Sequence, residues 1–279
     1  MQSTLICDLD NTLYDWVAYF VPSFYAMTTA ATRIIECDEN DLLDQLRDVH
    51  QLHHNSEHPF ALLETPLVQC WLTKGNTIAQ LEPAFQAFSR ERRKRLVAYP
   101  GVHETLKRLR SAKVRLIAHS DSNLFGVIDR LSRLQLTDYF DLVYCVESAV
   151  KPHPTGGPHS SRYKQFPEEK IKLLSRNEKK PNPAVLNHIV SENDLDRHTV
   201  AYIGDSLTKD ILMAKSTGIV AYWAKYGTRI DAQLYSKLVR ISHWTKYDVE
   251  QERNLLQAVE NISPDYVCDS FEDVLVHLS

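Results

Sequence analysis

Two rhythms of apolar and polar positions divide the chain. The first is a set of short unbroken apolar runs, the pattern of strands buried on both faces of a parallel sheet. Residues 4–7 form one such run, and residues 114–118, 142–146, 199–203 and 219–223 form four more. The second rhythm spaces apolar residues three and four apart, as an amphipathic helix requires. Leu42, Leu46, Val49 and Leu52 keep that spacing, as do Val102, Leu106 and Leu109. Further helices are predicted over 59–72, 76–97 and 124–134, punctuated by Pro59, Pro66, Gly75 and Pro83. Residues 14–36 are apolar and aromatic, with Pro22 as a kink or a helix start.

From residue 14 to 97 no strand pattern occurs, whereas beyond residue 98 strands and helices alternate. That alternation predicts an α/β fold with a parallel sheet and right-handed crossovers. The expected division is a core of residues 1–13 plus 98–279 and an all-helical insertion at 14–97. A short strand at 265–267 and a helix at 271–278 close the chain. Two stretches break the rhythm: 151–179, rich in Pro, Gly, His, Lys and Ser, and 227–263, mostly helical.

Composition narrows the setting. The 279 residues allow one large domain or two smaller ones, and 43% hydrophobic with 24% charged residues is the balance of a soluble protein. A net charge of −4 argues against nucleic acid or an anionic membrane as partner. No apolar run is long enough to span a bilayer. Cys7, Cys37, Cys70, Cys145 and Cys268 form no CxxC pair, and two of them lie in strand-like runs. Buried thiols in a reducing compartment fit that placement. With a strand beginning at once and no room for a signal peptide, the expected location is the cytoplasm.

The chemistry gathers at two strand ends. The first run stops at Asp8-Leu9-Asp10-Asn11-Thr12. In extended chain, residues two apart point the same way, so Asp8 and Asp10 can reach one site. Two carboxylates that close need a proton or a cation between them. Another run, 199–203, stops at Gly204-Asp205-Ser206-Leu207-Thr208-Lys209-Asp210. Four acids on two strand ends form a hard-oxygen site suited to Mg²⁺.

These stretches resemble the motifs of the haloacid dehalogenase superfamily. DLDNT is similar to its DxDxT first motif, and GDSLTKD to its GDxxxD fourth. The apolar run ending in His119-Ser120 resembles the second motif, and Lys180 in Lys180-Pro181-Asn182-Pro183 resembles the third. Lys151, in Lys151-Pro152-His153-Pro154, is a rival third motif, but the Gly and Pro residues after it do not form the helix expected there. The likeness covers roughly 1–13 and 98–279. It implies a Rossmann-like sheet of strand order 5-4-1-2-3, with the pocket at the switch point between strands 1 and 4. It also implies that residues 14–97 are a helical cap that closes over the site.

The resemblance further implies roles. Asp8 is expected as nucleophile, forming an aspartyl-phosphate. Asp10 is expected as general acid, then general base, and so must hold a proton when substrate arrives. Asp8, the backbone carbonyl of Asp10, Asp205 and Asp210 are expected to hold Mg²⁺, and Ser120 and Lys180 the phosphate oxygens. Dehalogenases of the superfamily lack the second Asp, so Asp10 points to phosphate esters. The implied function is a Mg²⁺-dependent phosphatase acting on a small phosphorylated metabolite such as a nucleotide or a sugar phosphate. The alternatives are a phosphotransferase or sugar-phosphate mutase on the same scaffold, and a non-catalytic binding protein of the same fold.

Three other features have ordinary structural explanations. His50, His53, His54 and His58 are the densest histidine group, and the first three fall on one helical face that could bind Zn²⁺ or Ni²⁺, but with no carboxylate or Cys in the obvious place a polar face is expected. Arg90, Arg92, Arg93, Lys94 and Arg95 read as a solvated helix face. Tyr14, Trp16, Tyr19, Phe20, Phe24 and Tyr25 read mostly as core.

Overall fold

A computed structural model describes residues 2–148, 153–154, 166–245, 247, 250, 254 and 263–278. Its centre is a parallel sheet of seven strands among the described residues: β1 Thr4–Cys7, β2 Arg115–Asn123, β3 Leu142–Val146, β4 Ile171–Leu174, β5 Val200–Gly204, β6 Val220–Ala224 and β7 Tyr266–Cys268. Their order is β4-β3-β2-β1-β5-β6-β7. The sheet carries two strands more than the five of the expected order. The middle of the sheet runs β6-β5-β1-β2-β3, and β4 and β7 extend its edges. β4 lies inside the stretch expected to be a loop. Its Ile-Lys-Leu-Leu sequence is half-exposed, so it lacks the apolar run of a central strand.

Strand alternation sends side chains to two layers. Leu5, Cys7, Leu116, Ala118, Ala201 and Ile203 face one apolar cluster, and Ile6, Ile117, Val200 and Tyr202 face the other. The second cluster is closed by α8 Pro183–Glu192 and α9 Leu212–Ser216, through Val185, Leu186, Ile189 and Met213. α6 Val102–Ser111 and α7 Leu124–Arg133 close the first, through Leu106, Leu109, Val127 and Leu131. Helix α11 Val274–Leu278 ends the described chain.

The described chain between β1 and β2 contains no strand. It holds α1 Trp16–Ile35, α2 Glu39–Leu52, α3 Ala61–Glu64, α4 Pro66–Thr73 and α5 Glu82–Arg95. Asp15 caps α1 by accepting the Ala18 N–H at 2.7 Å. Pro22 lies within α1, which runs through it unbroken. The helix expected over 59–72 is two, because Thr65 ends α3 and caps α4. Leu42, Leu46, Val68 and Phe85 join the same apolar cluster as Leu5 and Cys7, so the helices share a core with that face of the sheet.

Helix α10, Ala232–Ile241, packs on α1 and α2 although it follows β6 by sequence. Arg240 pairs with Asp44 at 2.5 Å, and the Tyr25 hydroxyl donates to the Lys237 carbonyl at 3.3 Å. A boundary drawn at residues 14–97 therefore leaves out a helix that packs with that group. No helix among the described residues is long and apolar enough to cross a membrane.

Candidate active site

Strand register brings the two acidic ends level. Cys7 pairs with Ala118 on one side and Ile203 on the other, so Asp8, His119 and Gly204 emerge side by side at the carboxyl edge of the sheet. This is also where strand order reverses direction, the usual place for a ligand in an open α/β sheet. Asp8 accepts from the Thr12 hydroxyl at 3.0 Å and pairs with the Lys180 ammonium. Lys180 also pairs with Asp210 Oδ1 at 2.8 Å. Asp8, Asp205 and Asp210 offer carboxylate oxygens that lie within 4.8 Å of one another.

Local backbone explains how Asp210 returns to the site. A single π-turn over Leu207–Ile211 precedes α9, and such turns often mark functional positions. The Ser206 N–H donates to Asp210 Oδ2 at 3.1 Å, and the Tyr202 hydroxyl donates to Oδ1 at 3.3 Å. Gly204 leaves the space the carboxylate needs, since a Cβ there would collide with Asp210. Trp223 Nε1 holds the Asp205 carbonyl at 2.8 Å, and Tyr226 donates to the Thr12 carbonyl at 2.6 Å. Gly227 lies against Asn11 so closely that a Cβ would strike its carbonyl.

Burial and like charge set the electrostatics. Burial pushes the Asp8 carboxyl up to about 7; Lys180 opposes this, and Asp210 and Asp10 add to it. Asp205 is pushed well above the carboxylate range by burial, then by Asp8 and Asp210. Burial works against the charge on Lys180, but Asp210 and Asp8 outweigh it and hold its pKa well above the ordinary value. His119 is driven well below its usual value by burial and by Lys180, so it is neutral. Fully ionised, the three carboxylates carry more charge than the one ammonium balances, and all offer hard oxygens. The set therefore fits a divalent cation such as Mg²⁺.

Asp10 sits in a second, adjoining network. Its Oδ2 accepts from the Ser122 hydroxyl at 2.7 Å, with the Ser120 hydroxyl at 3.5 Å and Arg130 Nη2 at 3.4 Å. A register shift in β2 between Ser120 and Asn123 lies beside these hydroxyls. Arg130, on α7, is buried and reaches across to the helical segment. Its Nη1 pairs with Glu57 at 2.6 Å and donates to the Tyr19 hydroxyl at 2.8 Å.

Asp8, Lys180, Asp205 and Asp210 lie together, with Asp10 and Ser120 adjacent. Lys151, the rival to Lys180, lies outside the described residues. Ser122, Glu57 and Arg130 were missed. The available signal for Arg130 was one cation on the apolar side of α7, among Val127, Ile128 and Leu131.

The remaining sequence features fall mainly into structure. His53 and His58 stack at 3.5 Å and each hydrogen-bonds one Glu64 oxygen, at 2.6 and 2.8 Å. With Glu64 the two histidines offer ligand atoms that lie within 4.8 Å of one another. Arg92 joins α5 to α7 through Asp129 at 3.0 Å, while Lys94 and Arg95 pair with Glu91 on the surface. Tyr14, Tyr19, Phe20 and Phe24 are buried.

Comparison with known proteins agrees with this geometry. The profile described as haloacid dehalogenase-like hydrolase matches residues 3–218, and one described as HAD-hydrolase-like matches 178–274. A glyceraldehyde 3-phosphate phosphatase of Pyrococcus abyssi is 24% identical over 272 residues, 94% of this chain and 95% of its own. A phosphoglycolate phosphatase of Nitrosospira multiformis is 27% identical over 138 residues, 50% of this chain and 48% of its own. Among solved structures, a HAD hydrolase of Bacillus subtilis bound to magnesium superposes with a TM-score of 0.54 at 15% identity, covering 100% of this chain and 99% of that one. With its profile match, its parallel sheet and its acidic strand ends, the chain belongs to the haloacid dehalogenase-like hydrolases and is a phosphatase-type member of that family.

Proposed function

We propose that the protein hydrolyses small phosphate monoesters through an aspartyl-phosphate on Asp8, with a divalent cation held by Asp8, Asp205, Asp210 and the Asp10 backbone carbonyl. The observation that supports this most is the convergence of three carboxylates within 4.8 Å, two of them paired with Lys180. When bound, Mg²⁺ would screen Asp8 from the dianionic phosphate and bind a transferring oxygen.

The chain's own residues divide the remaining work. An Asp8 oxygen forms a bond to phosphorus as the ester P–O bond breaks, and the Asp10 proton goes to the departing alcohol oxygen. A water then attacks the same phosphorus and gives a proton back to Asp10. Inorganic phosphate leaves and the Asp8 carboxylate is restored, with one water consumed per ester. Lys180 and Ser120 hold non-bridging oxygens, and Thr12 keeps Asp8 oriented. The helices of 14–97, with α10, exclude water from these steps.

The test is release of p-nitrophenol from p-nitrophenyl phosphate with added Mg²⁺. Turnover should vanish with EDTA and in Asp8→Asn. Unchanged turnover in Asp8→Asn would remove the covalent route.

A further inference from the structure

A cavity of about 180 Å³ lies where the helical segment meets the core. Its polar end is formed by Glu57 and Arg130, the pair joined to Asp10 through Ser122 at 3.3 Å and through Arg130 Nη2 at 3.4 Å. The cavity therefore begins one side chain beyond Asp10, the group assigned above to protonate the departing alcohol. Phe20, Phe24, Phe60 and Phe85 are among the aromatic side chains that line it. Phe60 and Phe85 meet edge to face at 5.7 Å, and the His153 ring meets them at 5.3 and 5.4 Å.

The charged groups on the wall pair with each other. Arg130 with Glu57 is one ion pair and Arg92 with Asp129 the other, at 2.6 and 3.0 Å. What the cavity then offers a ligand is chiefly ring faces and edges. Such walls reward a flat apolar group and give little to hydroxyls or carboxylates. Volume sets the size, because an apolar cavity of about 150 Å³ holds one benzene.

We propose that this cavity receives the alcohol portion of the substrate, and that this portion carries a single aromatic or heteroaromatic ring. The proposal rests on the phosphatase reading above. It separates this chain from relatives named for glyceraldehyde 3-phosphate and phosphoglycolate, whose non-phosphate portions are small and polar.

Benzyl phosphate and ethyl phosphate test it, since their alcohols are of similar acidity and differ mainly in the ring. The expected kcat/KM ratio is about 100 in favour of benzyl phosphate, the yield of burying one ring. Phe60→Ala and Phe85→Leu should each lower that ratio about 10-fold. Both substrates are measured on the same protein, so any loss of folded enzyme cancels. Benzylphosphonate and ethylphosphonate, which cannot be hydrolysed, provide a parallel binding measurement with the same expected preference.

Hydrolysis of both esters at a ratio below about 3 overturns the proposal and leaves the phosphatase reading intact. Preferential binding of benzylphosphonate with neither ester hydrolysed upholds the cavity's ligand class and removes the phosphatase reading. Equal binding of the two phosphonates overturns the proposal whatever the turnover.

Discussion

Arg130 and Glu57 form a 2.6 Å ion pair between α7 and the loop that follows α2. Arg130 is 2% exposed, and burial works against its charge; Asp10 and Glu57 outweigh that and raise its pKa well above the usual value. Breaking a buried pair leaves the other charge uncompensated, which costs about 3–5 kcal/mol. Glu57→Ala should therefore destabilise the fold by about 3 kcal/mol, toward the lower end because Asp10 still faces Arg130. Arg130→Met in the Glu57→Ala background should recover part of that loss. Urea unfolding of the four proteins of this cycle measures the coupling. A strictly additive cycle would show that the pair does not hold the two parts together.

Lys180 carries the positive charge in contact with Asp8 and Asp210. Its removal has opposite consequences for metal binding and for turnover. In Lys180→Met the carboxylates lose a competing cation, so Mg²⁺ should bind about 10-fold tighter. Turnover should fall about 10³-fold, because the phosphate loses a charged donor and Asp8 loses its orientation. Calorimetric Mg²⁺ titration beside p-nitrophenyl phosphate kinetics reads both. Weaker Mg²⁺ binding in the variant would place Lys180 outside the electrostatics of the cluster.

The carboxylates were legible in the sequence because each acidic group directly follows an apolar run, so register alone carries Asp8 and Asp205 to one edge. Lys180 was legible because a helix follows it and leads into β5. β4 was hidden, since an edge strand does not need two apolar faces and its Lys172 looks like a loop residue. The Glu57–Arg130 pair was hidden for another reason. Its members are 73 positions apart, and no local rule distinguishes a buried Arg on an amphipathic helix from a solvated one. The placement of α10 against α1 and α2 also depends on long-range packing, of which periodicity shows only the apolar stripe.

Gly204 offers a separate handle on the proposed metal site. A Cβ at this position would occupy the place of the Asp210 carboxylate. The residue lies at the end of β5 with ordinary strand backbone, so Gly204→Ala should keep the sheet while displacing Asp210. Expected results are an unchanged far-ultraviolet circular dichroism spectrum, Mg²⁺ affinity reduced about 10-fold, and turnover reduced at least as much. Full Mg²⁺ affinity in a folded Gly204→Ala protein would exclude Asp210 as a ligand.

His50 gives the fold a pH dependence of its own, distant in the chain from Asp8 and Asp205. It is fully buried on α2, where Nδ1–H donates to the Ile241 carbonyl of α10 at 2.6 Å. Burial lowers its pKa to about 4, although that hydrogen bond pulls the other way; the unfolded chain titrates near 6.5. Between those values the unfolded chain takes up a proton that the folded chain refuses. The stabilisation is thus complete above pH 6.5 and is lost as pH falls towards 4. From pH 7 to pH 5 the loss amounts to about 2 kcal/mol. His50→Asn keeps a donor near Ile241 but cannot titrate, so its stability should fall less steeply over the same interval. Urea midpoints at pH 7, 6 and 5 for both proteins give the comparison. Parallel curves would mean that His50 takes up its proton without opening the α2–α10 contact.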